Sequence, residues 1–319
     1  MTGRRGTLPH AATMLRRAGE MGHHRRMLRF ATGPEILKLG DLEVRRLGFG
    51  AMRLPGKDVW GEPDDPAAVH AVLRRAVELG INLIDTAWYY GPDIANRLIA
   101  EALHPYPSDL VIATKLGGRR MPDRSWAPYL KPHELRAGAE RDLRTLKLEQ
   151  LPVVHLRWID QPEVSFGEAL DAMRDLQREG KLRHIALSNV SVEQLDYALT
   201  RTPIVAVQNL FNLSGGSGPI PVADRPEAVL AACEARAIAF LPFFPLAIGA
   251  LAAGSGALAA AAKRHNCTPA QLSIAWLLAR SRVMLPIPGT SKVAHLEENV
   301  GAVHVVLDPS AVADLAPNR

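Results

Sequence analysis

Eight short apolar runs, separated in every gap by amphipathic helical segments, constrain this chain more than any single motif. The runs are Arg46 to Ala51, Ile81 to Ile84, Leu110 to Thr114, Val153 to Trp158, His184 to Leu187, Ile204 to Val207, Ile238 to Phe243 and Val283 to Ile287. Between them lie Ala-, Leu-, Arg- and Glu-rich stretches at 65–79, 93–103, 132–147, 166–179, 192–199, 226–236, 255–264 and 269–280. Short apolar runs bounded by polar residues read as buried strands. Strands alternating with helices form right-handed crossover units on a parallel sheet. Eight such units close most simply into a (β/α)8 TIM barrel, and 319 residues suffice for one. Gly80 and Gly180 fall where helices should end, and Pro132 and Pro269 fit first helical turns. An open doubly wound sheet is the competing fold, but no GxGxxG follows the first strand.

The pI of about 9.4 invites a nucleic-acid partner until the charge is located. Residues 1 to 30 hold seven arginines against Glu20 alone, a net of +6, whereas the whole chain carries +5. The remaining 289 residues are therefore near neutral, with 31 basic and 32 acidic side chains. A domain boundary is expected near residue 30: a basic, disordered arm at 1–30, and a single globular domain at 31–319. The arm reads as a leader or as sequence upstream of a start at Met27, and a partner-binding arm is the other reading. No nucleic-acid partner is expected. His23 and His24 have no ligand-spaced companions, so no metal is expected either. Two cysteines, Cys233 and Cys267, are too few for a disulfide framework, which suits a reducing, cytoplasmic setting. No apolar run is long enough to span a membrane, and no secretory signal core opens the chain.

In a barrel of this kind the chemistry lies at the C-terminal strand ends. The register drawn from the apolar runs puts Asp85, Lys115, Ser188, Asn189 and Gln208 there. INLIDTAWYYG, residues 81 to 91, sets Asp85 at the end of a buried strand and two phenols just beyond. A buried carboxylate needs a partner, and Lys115 is the natural one. Such a pair is equally the signature of a structural ion pair. The phenol tips the reading toward chemistry: a tyrosine titrates near 10, and a neighbouring ammonium would lower it toward a useful proton donor.

GFGAMRL, NLIDTAWYYG, IATKLGG, IALSN, VQNLFN and IPGTSKVAHLEEN, in that order, resemble the aldo-keto reductases over roughly residues 36 to 300. That family is built on (β/α)8 barrels and reduces aldehydes and ketones with NADPH, less often NADH, without a metal. The resemblance implies that Tyr90, which directly precedes Gly91, is the general acid rather than Tyr89. It implies that Lys115 lowers the phenol's pKa and Asp85 holds Lys115. Ser188, Asn189 and Gln208 would hold the nicotinamide amide, with Gly50 and Met52 beside it. Phe243, followed after Phe244 by Pro245 and Leu246, would stack on the nicotinamide where the family usually has a tyrosine. The adenosine end would lie against Gly289, Thr290, Ser291, Lys292, His295, Glu298 and Asn299. A helix N-terminus there suits phosphate, and Lys292 favours the 2′-phosphate of NADPH. His295 stands where the family often has arginine.

One position departs from the pattern. The family's fourth strand commonly reads DLYQLHRxD, with a histidine beside the substrate carbonyl. Here PVVHLRWID aligns on Asp160 and puts Arg157 there, with His155 two residues earlier on the same strand face, about 6.6 Å away. Arg157 is expected to orient the carbonyl and His155 to pack behind it. A catalytically weak NADPH-binding regulatory module is the alternative function. Trp60, Trp88, Trp126, Trp158 and Phe211 are candidate substrate walls or core residues. GAMRL, HPYP and LPIPGTS resemble a bacterial pyridoxal-reductase-like subgroup. The expected partner is a small carbonyl compound, and the oligomeric state, monomer included, is open.

Overall fold

A computed structural model describes residues 28–316 apart from 32, 216–225 and 255. The basic segment expected to be an arm lies outside the described residues up to residue 27. Leu28 is already buried in the core, and Ala31 N–H donates to the Val303 carbonyl at 2.8 Å.

The chain opens with an antiparallel hairpin, β1 (Ile36–Leu39) and β2 (Leu42–Arg45). Strands and helices then alternate. They run β3 (Phe49–Gly50), α1 (Pro66–Glu78), β4 (Leu83–Asp85), α2 (Ile94–Leu103) and β5 (Val111–Arg120). β6 (Trp126–Tyr129), α3 (Pro132–Leu146), β7 (Leu151–Arg157) and α4 (Phe166–Arg178) follow. The remainder is β8 (Leu182–Ser188), α5 (Val192–Leu199), β9 (Ala206–Gln208), α6 (Pro226–Ala235), β10 (Ala239–Phe240), α7 (Ala250–Ala253), α8 (Gly256–Arg264), α9 (Pro269–Arg280), α10 (Val293–Gly301) and α11 (Pro309–Leu315). The helix starts follow local chemistry. Asp65 accepts from Ala68 N–H ahead of Pro66, and Ser165, Ser191 and Thr268 form capping boxes with Glu168, Gln194 and Gln271. Gly80 and Gly180 take positive φ, +93° and +77°, as the helix-end reading required.

Seven strands pair in parallel in the order β3, β4, β5, β7, β8, β9, β10, and the sheet curls, flanked by helices; β6 joins antiparallel to β5. The expected eighth strand differs. Val283–Ile287 forms one isolated bridge, Met284 with Phe240, yet its backbone is bonded on both sides. Val283 accepts from Phe240 N–H and Leu285 donates back to Phe240, each at 2.8 Å, while Gly48 and Gly50 N–H donate to the Pro286 and Pro288 carbonyls at 2.9 and 3.2 Å. Pro286 and Pro288 have no N–H to return, so on the β3 side this segment only accepts, and the ladder stops short of closure.

Two features were not legible as strands. β1 and β2 fold under the curl, where Leu39 and Val44 join Leu83, Val111, Ala113, Val153, Ala186, Ala206, Ala239, Leu241, Leu285 and Ile287 in an inner apolar cluster. β5 overshoots its predicted end at Thr114 and carries six more residues out to the hairpin with β6.

Candidate functional site

Strand alternation puts Asp85, Lys115, Arg157, Ser188 and Gln208 on the same inward face as the inner cluster, at its C-terminal end. The registers agree: Asp85 lies opposite Ala113, Lys115 opposite His155, Arg157 opposite Ser188, and Ser188 opposite Gln208. Lys115 Nζ donates to Asp85 Oδ2 at 2.5 Å and to the Thr86 carbonyl at 2.8 Å, and the second carboxylate oxygen accepts from Gln208 Nε2 at 2.8 Å. Asp85 and Lys115 are almost wholly buried. Their charges therefore neutralise each other inside the protein.

Tyr90 stands on the turn after β4, its N–H bonded to Ala87 O, and Gly91 at φ +94° lets the chain leave toward α2. Lys115 Nζ lies 5.1 Å from the centre of its ring. Tyr89 packs edge-on against Tyr90, Trp88 and Trp126, and its hydroxyl is buried with no hydrogen-bond partner. Burial, and then the Asp85 carboxylate, push the phenol's pKa up, and the lowering influence is Arg157. The Lys115 ammonium near the ring is itself paired with Asp85 at 2.5 Å.

His155 and Arg157 part company despite sharing a strand face. His155 is fully buried below the site, with Nδ1 3.3 Å from the Thr114 carbonyl and Nε2 unpartnered. Burial pushes its pKa down to about 4, so it is a neutral ring. Arg157 lines the open cavity, donates from Nη1 to Ser188 Oγ at 3.0 Å, and sits 4.9 Å over the Phe243 ring.

Two cavities meet at Tyr90. The larger, about 1080 Å³, is walled by Tyr89, Trp126, Trp158, Phe166, Tyr197 and Phe244 around Lys115 and Arg157. The smaller, about 470 Å³, runs from Asp85 past Gly50, Met52, Phe243, Pro245 and Leu246 to Gly289, Thr290, His295, Glu298 and Asn299. Met52, Tyr90, Gln208, Phe243 and Phe244 line both. Gly50 and Gly289 are glycine because their strands nearly touch: a Cβ on Gly50 would stand 2.6 Å from Ile287 O, and one on Gly289 2.3 Å from Gly50 O.

The expected cofactor residues are not all brought together. Ser291 and Lys292 are exposed and line neither cavity; Lys292 caps α10, its N–H donating to Thr290 Oγ1 at 3.1 Å. Ser188 and Gln208 are engaged with Arg157 and Asp85. Asn189, held at φ +59°, donates to the Trp158 carbonyl at 3.1 Å and leaves its buried Oδ1 without a partner in the wall of the larger cavity. Of the five candidate walls, Trp126 and Trp158 line the cavity. Trp60 and Trp88 instead face Arg120 and Arg141, and Phe211 stacks on Trp276 in the core. Arg53, Phe166 and Tyr197 were missed. Arg53 follows Met52 directly, but Phe166 and Tyr197 sit on helices whose apolar faces read as core. Among the described residues, no three His, Cys, Asp or Glu side chains gather as metal ligands, and no helix is long and apolar enough to cross a membrane.

The aldo/keto reductase family model matches residues 46–317. The chain belongs to this family. Aldo/keto reductases are NADP-dependent oxidoreductases, and this chain is an enzyme of that kind. It is 43% identical to an uncharacterized oxidoreductase of Schizosaccharomyces pombe over 279 residues, 88% of each chain. It is 41% identical to the pyridoxine 4-dehydrogenase of Escherichia coli, covering 87% of this chain and 96% of that enzyme. Among solved structures, an aldo/keto reductase from Klebsiella pneumoniae in complex with NADP and acetate superposes with a TM-score of 0.71 at 24% identity, over 89% of this chain and 97% of that one. At that identity the likeness speaks to the fold alone.

Proposed function

We propose that this aldo/keto reductase reduces an aldehyde or ketone to the alcohol with NADPH, Tyr90 delivering the proton. The observation that carries this reading is that Tyr90 and its Lys115–Asp85 support stand where the two cavities join. The smaller cavity suits an extended dinucleotide, with Asn299, Glu298, His295 and Thr290 at the adenosine end and the Phe243 ring at the nicotinamide end. The orphaned Asn189 Oδ1 fits a carboxamide N–H. Reduced nicotinamide supplies the hydride.

The chain's own residues do the rest. Tyr90, like any phenol, is protonated at neutral pH, the state a proton donor needs, and Arg157 offsets part of the upward shift that burial imposes on it. Arg157 presents a fixed positive charge beside it, stabilising negative charge that develops on the carbonyl oxygen and on the phenolate left behind. Asp85 and Gln208 hold Lys115 in place beneath the ring. The aromatic walls position the substrate. In this reading Val283–Ile287 serves as the eighth stave of a (β/α)8 barrel.

The aromatic walls and the likeness to pyridoxine 4-dehydrogenase support an aromatic aldehyde of the pyridoxal type as substrate. Incubating the protein with NADPH and a panel of aldehydes that includes pyridoxal, and following loss of NADPH absorbance, tests this. Oxidation with pyridoxal or a related aromatic aldehyde is expected. Tight NADPH binding with no oxidation by any member would overturn the reading in favour of a regulatory NADPH-binding module.

A further inference from the structure

On the outer side of the sheet, behind the site, lies a buried carboxylate that the proposed chemistry does not use. Asp142, on α3, is fully buried, as are Thr86, Asn96 and Thr114. Thr114 Oγ1 donates to Asp142 Oδ2 at 2.9 Å, and Asn96 Nδ2 donates to Oδ1 at 2.6 Å. Asn96 Oδ1 in turn accepts from Thr86 Oγ1 at 2.8 Å. Alternation explains the arrangement. Asp85 and Lys115 point inward, so their chain neighbours Thr86 and Thr114 point outward, to where α2 and α3 present Asn96 and Asp142.

The two threonines also face the site through their backbones. The Thr86 carbonyl accepts the second hydrogen bond of Lys115 Nζ at 2.8 Å, and the Thr114 carbonyl accepts from His155. One carboxylate thus clamps the residue after Asp85 and the residue before Lys115. Stability alone does not call for it, because a well-packed apolar pair would hold β4, β5 and the two helices at no desolvation cost.

We infer that Asp142 is a positioning residue, fixing Thr86 and Thr114 so that Lys115 is held against Asp85 under the Tyr90 ring. The inference rests on the proposed roles of Tyr90 and Lys115. Burial raises the Asp142 carboxyl to about 7, so it titrates in the working range. The charged groups that act on it are Lys115, from the other face of β5, and Asp93 at the start of α2, the latter paired with Arg141 of α3.

The test compares Asp142→Ala, Asp142→Asn and Thr86→Val with Tyr90→Phe, measuring kcat and KM for pyridoxal, NADPH affinity by fluorescence titration, and thermal unfolding. Asp142→Ala should lower kcat at least tenfold while NADPH affinity stays within twofold. Asp142→Asn, which can accept from Asn96 and donate to Thr114 as the protonated acid does, should recover most of kcat and lose an ionisation near pH 7 from the kcat profile. Thr86→Val removes only the last rung and should lower kcat about threefold, which serves if Asp142→Ala does not fold. The inference is overturned if Thr86→Val and a folded Asp142→Ala keep kcat within twofold, or if NADPH affinity falls in step with kcat. Full activity in Tyr90→Phe would instead overturn the roles on which it rests.

Discussion

The two ends of the curled sheet's interior are built on the same five strands and differ by one inward step. At the lower end the inward residues are Leu83, Ala113, Val153, Ala186 and Ala206, closed over by Leu39 and Val44 of the hairpin. One inward step later four of these strands carry Asp85, Lys115, Ser188 and Gln208, whereas on β7 that step is His155, which stays buried with the lower layer, and Arg157 follows a step beyond. The lower layer needs only shape and volume, whereas the upper layer needs each buried charge matched. Asp85 has both oxygens bonded and Lys115 has two acceptors. The contrast teaches that the strand frame is common to fold and site, and that each layer should answer to a different measurement.

The sharpest separation is expected at Tyr90. Tyr90→Phe keeps the ring that packs against Tyr89 and removes only the hydroxyl. Turnover should fall by roughly two to four orders of magnitude, the usual worth of general acid catalysis, with thermal unfolding unchanged. Unimpaired turnover would end the distinction between the layers. Lys115→Met should lose turnover as well as stability, because it leaves Asp85 buried with Gln208 as its remaining partner; breaking such a pair costs about 3–5 kcal/mol. Adding Asp85→Asn should restore most of that stability and none of the turnover. If both return, the pair is only a structural bridge. In the lower layer the outcome reverses: Leu83→Ala should cost about 2–5 kcal/mol in denaturant unfolding, with turnover of the folded enzyme within twofold.

The lower layer and the alternation of elements were legible because periodicity reports burial. Every helix read from 65–79 to 269–280 is present, as are seven of the eight strands. Val283–Ile287 was read as a strand from its apolarity, although Pro286 and Pro288 announced the missing donors. The hairpin at 36–45 gives no strand signal because ILKL and LEVR are short and carry charges; its value lies in two buried side chains, Leu39 and Val44. In the upper layer, the choice of Tyr90, Lys115 and Asp85 as neighbours rested on motif and register, and they do meet. What no local pattern reports is how charges are apportioned among them. Gln208 is tied to Asp85, Arg157 to Ser188, and Lys115 is paired with Asp85, all of which depend on distances between strands.

His155 and Arg157 give the finest test of the division, since they share a strand and a face. His155 is buried in the lower layer's manner, its pKa held near 4 against about 6.5 in an unfolded chain. A histidine with a depressed folded pKa favours the unfolded state once that state can take up a proton. Its stability contribution is therefore complete above about pH 6.5 and is lost as the pH falls toward 4. The span is roughly 3 kcal/mol. His155→Leu should flatten that slope between pH 6.5 and 4 in urea unfolding and leave kcat at neutral pH within about threefold. Arg157→Leu should do the opposite, keeping the slope and lowering kcat/KM for the aldehyde about tenfold through loss of the charge beside Tyr90. Should His155→Leu abolish turnover while Arg157→Leu spares it, the boundary between the layers lies one inward step lower on β7 than its exposure indicates, and the neutral imidazole takes the place proposed for the guanidinium.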